Sequence, residues 1–105
     1  MDAIFKALSD PNRRYLLDLL HRQDGQRLSD LCRQMDMTRQ AVSQHLALLE
    51  SANLVTTLRH GREKLHYLNP LPIQEISDRW IHKYARRRVQ AVHALKQRLE
   101  EPIDR

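Results

Sequence analysis

The chain has 105 residues, 41% hydrophobic and 30% charged, with a formal net charge of +5, which predicts one small ordered domain and excludes disorder on composition. No apolar run approaches the roughly 20 residues of a membrane span, and Met1-Asp2-Ala3-Ile4-Phe5-Lys6 lacks the basic and apolar blocks of a signal peptide, so the expected location is the cytoplasm, with no membrane partner. The one cysteine, Cys32, allows no internal disulfide and no Cys-x-x-Cys site.

A short first helix is expected over Asp2 to Leu8, with Ile4, Phe5 and Leu8 on one side. Ser9-Asp10-Pro11 stops and restarts the chain. Asp10 can accept as N-cap, and Pro11 suits the first helical position, where no N–H is needed. The second helix runs to about His21 on Tyr15, Leu16, Leu19 and Leu20, and Asp24-Gly25 closes it. A third helix is expected from about Ser29 to Met35, with Leu28 as a hydrophobic staple and Leu31, Cys32 and Met35 facing inward. After Asp36-Met37, Thr38 can cap a fourth helix that reaches about Ala52 and buries Ala41, Val42, Leu46 and Leu49.

The apolar period then changes from 3.6 to 2. Leu54 to Arg59 and Glu63 to Leu68 read as two strands, with Leu54, Thr56, Leu58, Leu65 and Tyr67 on one face. His60-Gly61-Arg62 connects them, and Gly61 supplies the positive φ of a tight hairpin. Asn69-Pro70-Leu71-Pro72 breaks the second strand and starts a long last helix to about Glu100. Its stripe is Ile73, Ile76, Trp80, Tyr84, Val92, Leu95 and Leu99. The expected fold is mainly α with a small β-hairpin, in the order ααααββα. That is a winged helix-turn-helix in one domain over 1–105, with the helix-turn-helix at 29–52 and the wing hairpin at 54–68.

In this architecture the second helix of the helix-turn-helix enters the major groove, leading with its N-terminal residues. Here those are Thr38, Arg39, Gln40, Ser43, Gln44 and His45, all hydrogen-bonding types and none acidic. Arginine pairs bidentately with guanine and glutamine with adenine, while serine and threonine suit bases or phosphate. The hairpin tip carries Arg59, His60, Arg62 and Lys64, which suit phosphate or minor-groove contact. The charge is distributed accordingly: residues 1–52 hold seven Lys/Arg and seven Asp/Glu, residues 53–105 eleven and six. An excess of this sign favours nucleic acid or anionic lipid. The joint pattern of capped polar helix and basic hairpin selects double-stranded DNA.

At these residues the chain resembles the ArsR/SmtB family of bacterial repressors. The matching segments are Leu8-Ser9-Asp10-Pro11-Asn12-Arg13-Arg14, Leu28-Ser29-Asp30-Leu31, Ala41-Val42-Ser43-Gln44-His45-Leu46 and Asn53-Leu54-Val55. Arg59-His60-Gly61-Arg62-Glu63-Lys64, running on to Tyr67-Leu68, completes them. The resemblance covers about residues 2–70, and the last helix by layout. It implies a homodimer joined by its first and last helices (1–8 and 70–100), through Ile4, Phe5, Leu8, Ile76, Trp80, Tyr84, Val92 and Leu95. It also implies repression at a palindromic operator, with Ser43 and His45 on the recognition helix and Arg62 on the wing. Where the family commonly has Gly, this chain has Asn53, the next-best residue for a left-handed helix end.

Many members of that family release DNA on binding metal. The thiolate positions near the third helix are Arg27 and Ser29 here, and Cys32 alone cannot hold a soft metal, which takes three or four N/S ligands. In the last helix Asp78 and His82 lack the Asp-x-His spacing, and His93 is followed three residues on by Lys96. No metal site or cofactor is therefore expected. Arg86-Arg87-Arg88 spread over a wide arc of the helix, so they cannot all serve one site. No Gly-rich phosphate loop, catalytic carboxylate pair or Ser/Cys–His signature is present, so no enzymatic activity is expected. Two readings compete with DNA-binding repression: a winged helix that docks an acidic protein, and a metal-responsive repressor. The polar exposed face of the fourth helix argues against the first, and the missing ligand set against the second.

Overall fold

A computed structural model of the chain describes residues 1–100, with His82 described by its backbone alone. In chain order it contains α1 (Asp2–Leu8), α2 (Pro11–Arg22), α3 (Leu28–Arg33), α4 (Arg39–Ser51), β1 (Val55–His60), β2 (Glu63–Leu68), α5 (Leu71–Ile76), a π-helical turn (Ser77–Ile81) and α6 (His82–Glu100). This is the mainly helical winged helix-turn-helix expected, with one two-stranded antiparallel hairpin. Two compact units divide after Ile73.

In the first unit, local chemistry sets each helix end. The Asp10 carboxylate accepts from the backbone N–H groups of Asn12 at 2.7 Å and Arg13 at 3.3 Å, and Pro11 starts α2. The Thr38 hydroxyl accepts from the Ala41 N–H at 3.1 Å and starts α4. At the far end of α4, Asn53 takes φ 60°. The Asn53 N–H bonds to the Glu50 carbonyl and the Leu54 N–H to the Leu49 carbonyl, both at 2.9 Å, which is the Schellman pattern. Leu54 belongs to this cap and is fully buried. The first strand therefore begins one residue later than the expected Leu54 and ends at His60.

The third helix departs from expectation at both ends. It begins at Leu28, because the Asp30 carboxylate accepts from the Arg27 backbone N–H at 3.0 Å. It closes at Arg33, because the Gln34 N–H turns to the Leu31 carbonyl while the Gln34 side-chain amide takes the Asp30 carbonyl at 2.8 Å. Met35 stays buried beyond the helix, and Cys32 is half-buried against the core.

The core lies among α2, α3, α4 and the start of β1. Leu16, Leu20, Leu31, Val42, Leu49 and Leu54 are its fully buried side chains. Each contributes roughly 1.5–3 kcal/mol of burial. The hairpin register pairs Val55 with Leu68, Thr57 with His66 and His60 with Glu63. Thr56, Leu58, Leu65 and Tyr67 do share a face, but the two deeply buried strand residues, Val55 and His66, lie on the other face. The turn is Gly61-Arg62, with positive φ at Gly61 only, as a type II′ turn requires. Gly25 binds the hairpin to the body: at φ 75° its N–H donates to the His66 carbonyl at 2.9 Å, and a side chain there would meet the Tyr67 ring. The His66 N–H and its ring Nδ1 both donate to the Gln26 carbonyl.

In the second unit the expected uninterrupted last helix is broken by the π-helical turn at Ser77–Ile81. Bonds of the i→i+5 type there shift the phase of the helix. Among the described residues no helix is long and apolar enough to cross a membrane.

Candidate nucleic-acid interface

An α-helix turns by about 100° per residue. On α4 this places Arg39, Ser43, Ala47 and Glu50 in one line, with Gln40 and Gln44 beside it. Arg39, Gln40, Ser43 and Gln44 are all exposed. Thr38 is exposed too, but its hydroxyl is engaged in the cap.

His45 is two residues from Ser43, so the two point to nearly opposite sides of the helix. Both were expected as DNA contacts, and the structure puts them on different sides of α4. His45 is half-buried, with its ring Nδ1 3.3 Å from Nη1 of the buried Arg13. The exposed polar face of α4 is therefore Arg39, Gln40, Ser43 and Gln44.

The hairpin lies beside this face. A cleft of about 500 Å³ runs between α3, α4 and the hairpin, lined by Arg27, Ser29, Arg39, Ser43, Arg62 and Lys64 among others. Arg59, His60, Arg62 and Lys64 are exposed. Lys64 stands directly across from Arg59 in the sheet, where like charges repel. Glu50 offsets this by pairing with Lys64 at 3.2 Å. Among the described residues Arg39, Arg59 and Arg62 form no ion pair, and Arg39 and Arg62 line the cleft.

Two tethers hold the hairpin that sequence reasoning missed. One is Glu50–Lys64, from α4. The other is Arg27, which reaches Glu63 on β2 at 2.9 Å and Asp30 at 3.1 Å, while Arg33 also pairs with Asp30. The side chain and the backbone N–H of Arg27 hold the Asp30 carboxyl below its ordinary value, against a weaker upward pull from desolvation. Asp30 and Glu63 in turn push the Arg27 guanidinium upward. The only hint in the sequence was two acids, Glu50 and Glu63, within a basic surface.

The residues expected at a dimer interface fall into different environments. Ile4 and Leu8 are partly buried against the chain's own core. Ile76 is buried and Trp80 half-buried, with the Arg79 guanidinium 5.7 Å from the Trp80 ring centre. Phe5, Tyr84, Val92 and Leu95 are exposed, at 47–61%. Among the described residues no three His, Cys, Asp or Glu side chains converge as a metal site would require.

Known proteins are similar to this chain in sequence and fold. A family model described as a helix-turn-helix domain matches residues 8–57. The chain is 38% identical over 86 residues to the HTH-type transcriptional regulator YuzN of Bacillus subtilis (strain 168), covering 76% of this chain and 94% of that protein. It is 33% identical over 75 residues to the transcriptional repressor SdpR of the same organism, covering 71% of this chain and 82% of SdpR. Among solved structures, an ArsR-like transcriptional regulator from Rhodococcus sp. RHA1 superposes with a TM-score of 0.74 at 28% identity, over 97% of this chain and 92% of that one.

Proposed function

The chain belongs to the ArsR-like family of winged helix-turn-helix transcriptional regulators, and from that premise we propose that it represses transcription as a homodimer on a palindromic operator. One observation carries the reading: the exposed, acid-free face Arg39, Gln40, Ser43 and Gln44 stands beside a hairpin tip whose Arg59 and Arg62 form no ion pair among the described residues. Base edges in the major groove are read by that face, and phosphates are met by the tip. Thr38 starts the reading helix, and Lys64 holds the hairpin while adding positive charge.

Dimerisation is supported by the exposed apolar residues Tyr84, Val92, Leu95 and Leu99 on α6 and Phe5 on α1. A two-fold dimer presents its two reading helices to successive major grooves about 34–36 Å apart. Repression follows from occupying DNA that polymerase needs, and the place of action is the cytoplasm, with that DNA. The likeness to SdpR, itself named a repressor, supports repression over activation.

The experiment is an electrophoretic mobility shift on the duplex immediately upstream of the chain's own gene, against a scrambled duplex of the same composition. A shift selective for the native sequence and weakened by salt is expected. Equal retention of both duplexes, or no shift at all, would overturn the proposal.

A further inference from the structure

Arg13 is a charged residue inside the fold, 8% exposed. A buried guanidinium needs partners for its donors. Its Nε donates to the Ala7 carbonyl at 2.8 Å and its Nη2 to the Lys6 carbonyl at 2.9 Å. Both carbonyls lie in the last turn of α1, and that of Lys6 also accepts from the N–H and the hydroxyl of Ser9, at 3.3 and 2.7 Å. Its Nη1 is 3.9 Å from the Asp10 carboxylate and 3.3 Å from Nδ1 of His45. One side chain thus joins the end of α1, the N-cap of α2 and the middle of α4.

Arginine has no acceptor atom. Nδ1 of His45 must therefore accept from Arg13, so it carries no proton. His45 also lies on the side of α4 away from Ser43. We propose that Arg13 and His45 are positioning residues for DNA reading. Their hydrogen bond fixes the rotation of α4 against α1 and α2, and with it the aim of Arg39, Gln40, Ser43 and Gln44, while His45 itself touches neither base nor phosphate. The inference rests on α4 being the reading helix.

The test exploits the two ring nitrogens. Asparagine places an acceptor where Nδ1 lies, whereas glutamine places a donor where Nε2 lies. The variants His45→Ala, His45→Asn, His45→Gln, Arg13→Lys and Ser43→Ala are titrated onto the fluorescein-labelled upstream duplex at several salt concentrations. Circular dichroism first confirms that each is folded at the assay temperature. His45→Ala and Arg13→Lys are expected to bind about tenfold more weakly, the scale of one lost hydrogen bond. Their salt dependence should match that of the parent, because no phosphate contact is lost. His45→Asn should recover most of the affinity and His45→Gln should not.

Rescue by glutamine instead of asparagine, or a salt slope smaller by about one, would mean that His45 touches DNA and would overturn the inference. If Ser43→Ala weakens binding while His45→Ala does not, the reading of α4 stands and the positioning role is refuted. If Ser43→Ala also binds as the parent does, α4 is not the reading helix and both fall. Should Arg13→Lys fail to fold, the His45 variants still decide, since they leave Arg13 in place. Long-range proton–nitrogen NMR of the imidazole gives a reading independent of DNA. Nδ1 should appear unprotonated and Nε2 protonated; a proton on Nδ1 would contradict the hydrogen bond.

Discussion

Asn53 and His45 show what one residue decides in this fold. Asn53 holds φ 60° at the end of α4 and allows Leu54 to drop into the core. Asn53→Gly should leave stability within a few tenths of a kcal/mol, since glycine adopts this region freely. Asn53→Val should cost about 1–2 kcal/mol or more by forcing a β-branched residue into it. Urea unfolding of the two variants measures both. Cap chemistry is local, so Asn53, Asp10 and Thr38 were legible in the sequence. The partner of His45 was not, because Arg13 is 32 residues away and only the folded chain brings them together. At the hairpin tip, Arg62→Ala should weaken binding equally on native and scrambled duplex and lower the salt slope by about one. Ser43→Ala should instead reduce the discrimination between them.

At the scale of elements, apolar periodicity placed every helix of the first unit to within two residues, and the switch to period 2 placed the hairpin. Periodicity is blind to what holds a hairpin at a given angle. Arg27–Glu63 and Glu50–Lys64 span residues far apart in the chain and follow no repeat. It is also blind to the π-helical turn, whose flanks read as one stripe. Glu63→Gln should change global stability by less than about 1 kcal/mol, because the pair is exposed. It should still speed amide exchange in β1 and β2 and lower DNA affinity severalfold. Asp30 adds a pH dependence with a definite sign. Its folded value lies below the unfolded one of 3.8. Its contribution is therefore present above that value and lost as pH falls through the lower folded value. The difference in melting temperature between the parent and Asp30→Asn should shrink on acidification below about pH 4. A difference that grows on acidification would contradict the tether.

For the whole molecule, the proposed function needs a symmetric pair of chains, each presenting the exposed face of α4. Tyr84, Val92, Leu95 and Leu99 expose apolar surface on α6, and association would remove it from water. Val92→Glu with Leu95→Glu should shift the sedimenting species to the monomer. The same change should weaken operator binding far more than a single reading-face substitution, since two half-sites no longer act together. A variant that remains dimeric would move the interface off α6.

The central claim is that the exposed face of α4 and the tip of the hairpin together recognise duplex DNA by sequence. Fluorescence anisotropy on the upstream duplex and on its scrambled counterpart, across a range of salt, tests this most directly. The account predicts tighter binding to the native sequence by about a thousandfold or more, with affinity falling steeply as salt rises. Equal affinity for the two duplexes, or affinity indifferent to salt, would contradict it.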